Sequence, residues 1–62
     1  MLEFENTRMN MQMKVVALRW RRRRKESNQP KAVFEAYAHN TLLSYGWNEN
    51  EIAVMMRTIM ED

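Results

Sequence analysis

The stretch Met9-Asn10-Met11-Gln12-Met13-Lys14-Val15-Val16-Ala17-Leu18-Arg19-Trp20 admits two readings, and the fold depends on which one holds. As a strand, Met9, Met11, Met13 and Val15 alternate with Asn10, Gln12 and Lys14, a period of two. As a helix, Met9, Met13, Val16 and Trp20 recur at steps of four, three and four, with Asn6 or Thr7 as a candidate N-cap. The arginines that follow would then sit at the negative end of the helix dipole. Propensity favours the helix, because Met, Gln, Lys, Ala, Leu and Arg are good helix formers and only Val15 and Val16 are β-branched. That helix would carry Met11, Val15 and Leu18 on its opposite side, so both of its apolar faces need partners. Helix is the leading expectation and strand the alternative.

On the C-terminal side the stretch runs into Arg19-Trp20-Arg21-Arg22-Arg23-Arg24-Lys25, a run in which every residue but the indole is cationic. Like charges this dense repel one another, and their usual meaning is an anionic partner. On the N-terminal side, residues 1–8 have no clear period and read as a tail or short edge segment, although Leu2 and Phe4 could pack on a neighbour.

Lys25 to Gln29 is polar and ends at Pro30, whose fixed φ suits the first turn of a helix but not its interior. From there Phe34, Tyr37, Ala38, Thr41, Leu42 and Tyr45 recur at threes and fours, and Gly46 can take φ > 0 just past the last turn. A helix over 30–45 follows. Asn48 and Glu51 form a capping-box pattern, with Trp47 and Ile52 placed as a hydrophobic staple. Ile52, Met55, Met56, Ile59 and Met60 then make the cleanest amphipathic stripe in the chain, a helix over 48–61. The short connection between these two makes a C-terminal helical hairpin. The fold class expected is therefore mainly α, a single small three-helix domain over 1–62 whose basic element covers 9–27.

At 62 residues the chain buries about 60% of the surface its unfolded form exposes. With no cysteine, neither disulfides nor thiolate metal sites reinforce so small a core, and a second copy or a protein partner is expected to extend it. Apolar runs such as Val15 to Leu18 are far below the roughly 20 residues of a membrane span. The acidic start Met1-Leu2-Glu3-Phe4-Glu5 is unlike a secretory signal, which points to the cytoplasm. Charge is polarised: residues 1–31 hold nine basic and three acidic groups, and residues 32–62 one basic and five acidic.

Nucleic acid, DNA or RNA, is the partner this pattern suggests most strongly. Arg19, Arg21, Arg22, Arg23, Arg24 and Lys25 would lie on phosphates, and Trp20 would stack on a base or anchor the segment. In the strand reading, Asn10, Gln12 and Lys14 project from one face and are residue types that read base edges. The Met-Asn-Met-Gln-Met-Lys-Val alternation, the Leu18-Arg19-Trp20 after it and the two capped helices beyond Pro30 resemble the ribbon-helix-helix repressors of phages and plasmids. That resemblance implies a dimer whose paired N-terminal strands enter the major groove. The chain departs from that family in the Arg21 to Gln29 segment, where the first helix should already have begun.

A competing expectation is a small protein-binding inhibitor or adaptor, its cations on an acidic surface and its Met55, Met56, Ile59 and Met60 stripe in a groove. His39, the lone histidine, has no ligand or triad companions. A chain with one glycine has no phosphate-cradling loop. No enzyme activity, metal, cofactor or small-molecule substrate is expected.

Overall fold

The computed structural model describes residues 2–62, with side chains from Gln12 onward. It contains three helices: α1 (Leu2–Glu26), α2 (Lys31–Ser44) and α3 (Glu49–Ile59). No strand occurs among the described residues, so the N-terminal ribbon, and the ribbon-helix-helix arrangement with it, does not form. The reason lies in what the helix satisfies. Met13, Val16, Ala17 and Trp20 fall on one side of α1 and meet the other two helices, a three-and-four spacing that a two-residue period cannot deliver.

Residues 1–8 were expected as a tail, yet the helix already runs from Leu2. No Gly or Pro interrupts the chain before Pro30, so nothing local stops the helix. Asn6 and Thr7 lie inside the helix and are not its caps.

Pro30 is the N-cap of α2 rather than its first residue, with φ −57° and ψ 148°. At the far end Gly46 takes φ 102°, its N–H donates to the Leu43 carbonyl at 3.0 Å, and the Trp47 N–H donates to the Leu42 carbonyl at 3.2 Å. These two bonds make a Schellman stop, which reverses the chain in a single tight turn. Asn48 then caps α3 reciprocally: its Oδ1 accepts from the Glu51 N–H at 2.8 Å, and its own N–H donates to Glu51 Oε1 at 2.9 Å. Both helices end within two residues of their expected limits.

The core is Ala17 and Trp20 from α1, Phe34, Ala38 and Leu42 from α2, and Ile52, Met55 and Ile59 from α3. Trp20 meets the rings of Phe34 and Tyr37 at 6.0 and 5.6 Å, in edge and tilted geometries. α1 lies chiefly along α3 and touches α2 least. Trp47, just before α3, shares a groove with Val16, while Arg24 further along α1 reaches Ile59 at the end of α3. The two helices therefore run in the same sense. At about 37 Å, α1 is nearly twice as long as α2 and more than twice as long as α3, and the molecule is elongated, 43 × 20 × 14 Å.

Candidate nucleic-acid interface

Because α1 and α3 run in the same sense, the negative ends of their dipoles come together, and the arginine run arrives there. Successive residues turn by 100°, so the run wraps around the helix and its members meet different surroundings.

Arg24 points inward, its side chain only 10% exposed. Its Nε donates to the Ile59 carbonyl at 2.6 Å, and its Nη2 donates to the Glu61 carbonyl at 2.7 Å. The same Nη2 lies 3.0 Å from the Asp62 carboxylate, which also pairs with Lys31 at 2.7 Å. Those two cations, Lys31 foremost, hold the Asp62 carboxyl below the usual carboxylate range. Arg24 thus caps the end of α3 from a neighbouring helix.

Arg23 lies with its guanidinium carbon 4.9 Å from the centre of the Trp20 ring, a cation–π contact that places it without consuming its donors. Arg22 is exposed and pairs with Glu26 one turn on, at 3.3 Å. Arg19 and Lys25 are exposed, and Arg21 is half-buried with no acceptor for its Nε. Among the described residues Arg19, Arg21, Arg23 and Lys25 meet no carboxylate, so the cationic surface is only partly matched from within.

Trp20 itself is 5% exposed, so its ring faces are closed to a base and it anchors α1 in the core. The aromatic rings that do reach solvent beside the arginines are others. A groove of about 420 Å³ between α1 and the α2–α3 turn is lined by Arg19, Arg22, Arg23, Glu26, Tyr45 and Trp47. Tyr45 is 70% exposed and Trp47 half-buried. A second groove of about 480 Å³ shares Arg23 and is walled by Tyr37 and Gln29.

Asn10, Gln12 and Lys14 lie on α1, where Gln12 is turned 200° from each of the other two positions, so the common face that a strand would have given all three does not exist. Gln12 and Lys14 are exposed. Of the stripe proposed for a partner, Met55 and Ile59 are fully buried, because α1 covers the side of α3 that would otherwise be free. Met56 and Met60 remain half-buried, in a groove between α2 and α3 with His39. His39 Nε2 is 2.8 Å from Glu49 Oε2, and that hydrogen bond raises the His39 pKa above 6.5.

The arginines were legible as a site, whereas Tyr37, Tyr45 and Trp47 were read only as helix and staple residues. Two large aromatics flanking Gly46 in a four-residue connection, 45–48, were the available signal, since a connection so short cannot bury both. Compared with known proteins, the chain matches no family model, no curated sequence and no solved structure.

Proposed function

We propose that this is a small nucleic-acid-binding regulatory protein whose arginine-rich segment lies on the phosphate backbone. The observation that carries it is the exposed set Arg19, Arg22, Arg23 and Lys25 on one helix, of which, among the described residues, Arg22 alone pairs with a carboxylate, that of Glu26. Guanidinium forks offer paired donors to phosphate oxygens, and each neutralised phosphate releases counterions. Arg24 is excluded from this set because its side chain is turned inward, with Nε and Nη2 bonded at the end of α3.

Neutralising about four phosphates gives a slope of log affinity on log salt of about −3 for single strands and about −4 for duplex. The test is the variant Arg19→Gln/Arg22→Gln/Arg23→Gln, which leaves Arg24 and the core intact. Binding measured by fluorescence anisotropy should weaken and lose about half to three quarters of that slope. Absent binding, or binding indifferent to salt and to these three changes, would remove the reading. The adaptor alternative has less behind it, since Met55 and Ile59 face the core.

The active unit in this reading is a dimer. Val15 and Leu18 are 48% and 45% exposed on the side of α1 away from the core. Continued by register, the apolar part of their stripe takes in positions 4 and 11, Phe and Met in the sequence. A second copy of α1, antiparallel, is the occupant that fits. The start of the helix carries Glu3 and Glu5 and its end the arginines, so opposite charges meet at both ends of such a pair.

A further inference from the structure

The exposed aromatics beside the arginines lead one step beyond phosphate binding. A segment that only lay along a duplex would gain nothing from open tyrosine rings, because paired bases are stacked inside the helix and present edges rather than faces. Here Tyr45, 70% exposed, and Trp47 stand in one groove with Arg19, Arg22 and Arg23. Tyr37, 52% exposed, stands in the adjoining groove, with Arg23 common to both. Cations interleaved with solvent-facing rings are the arrangement that holds unpaired nucleotides, phosphates on the guanidinium groups and base faces on the rings. A groove of about 420 Å³ is also within the size range of clefts that enclose small organic groups.

We infer that the two grooves form a single-strand site, in which one unpaired base stacks on Tyr45 beside Trp47 and a second on Tyr37. This rests on the nucleic-acid reading above and narrows it to unpaired strands. Arg23, fixed over the Trp20 ring, holds the phosphate between the two bases. The Glu26 carboxylate, on the wall of the first groove and paired with Arg22, opposes the phosphate charge. It lowers the affinity that the bare arginines would give.

The experiment compares oligothymidine, oligouridine and a duplex of equal length at one salt concentration, reading anisotropy of the labelled strand and quenching of tryptophan emission. The single strands are expected to bind more tightly than the duplex and to quench. Tyr45→Ala should weaken single-strand binding by roughly five- to 150-fold, leave duplex binding and thermal stability unchanged, and be rescued by Tyr45→Phe. Glu26→Gln should tighten binding. Duplex preference with an indifferent Tyr45→Ala would overturn the single-strand site while leaving the phosphate reading standing. No binding to any of the three probes would overturn both. The ratio of thymidine to uridine affinity separates DNA from RNA as the preferred source of the strand.

Discussion

Arg24 and its neighbours in sequence look interchangeable, and their surroundings make them unlike. Two carbonyls at the end of α3 would be left without their donor if Arg24 were replaced, and hydrogen bonds to a charged group contribute about 1.5–3 kcal/mol each. Arg24→Gln is therefore expected to cost about 2 kcal/mol or more, on the order of 10 °C in Tm for a domain of this size, by thermal denaturation followed by circular dichroism. Arg22→Gln, which loses only an exposed pair, should stay within about 1 kcal/mol of the parent. Equal stability of the two variants would refute the capping role. His39 provides the pH dependence. Its pKa is raised by the Glu49 hydrogen bond, so the contact is fully present below about 6.5 and is lost as pH rises through the raised value. Asp62 has the opposite sign: its lowered pKa makes the Lys31 and Arg24 contacts present above the ordinary carboxylate range and lost as acid protonates it. The fall in Tm between roughly pH 6 and 8 should flatten in His39→Gln, and an unchanged profile would show that the tether between α2 and α3 contributes nothing.

At the level of elements, the two C-terminal helices carry their limits in local chemistry. Asn48→Ala removes an acceptor from the Glu51 N–H and should cost about 1 kcal/mol, read as a shift in denaturation midpoint, with Asn48→Asp or Asn48→Ser largely restoring it. A variant as stable as the parent would mean that the capping box observed at α3 is not holding that helix. Such signals were legible because a cap, a glycine stop and a proline boundary act over three or four residues, and the sequence contains those residues whatever the rest of the chain does. α1 was harder. Met9 to Val15 satisfies a period of two and of 3.6 together, and the choice is made by Val16 and Trp20, three and seven residues on, which only a helix can bring onto the side of Met13. The hairpin of α2 and α3 was legible, whereas the place of α1 against it was not. Nothing in the order of residues says that α1 runs alongside α3 in the same sense, yet that relation buries Trp20 and Met55, consumes Arg24, and leaves Tyr45 and Trp47 as the rings beside the arginines.

For the molecule as a whole, the unequal lengths of the helices leave a consequence in its shape. The hairpin of α2 and α3 spans at most about 21 Å, so roughly the first ten residues of α1 extend beyond the length the hairpin can match. A helix that long, with Val15 and Leu18 exposed on its outer side, gains by pairing along that side with another helix. In an antiparallel pair aligned about position 13, position 11 of one chain meets 15 of the other and position 8 meets 18. Sedimentation equilibrium over a range of concentration should give twice the chain mass, and Val15→Lys/Leu18→Glu should give the single mass while far-ultraviolet dichroism shows a folded domain. A parent protein that stays at the single mass up to millimolar concentration would overturn self-association, and the grooves beside Arg23 would then act from one chain alone.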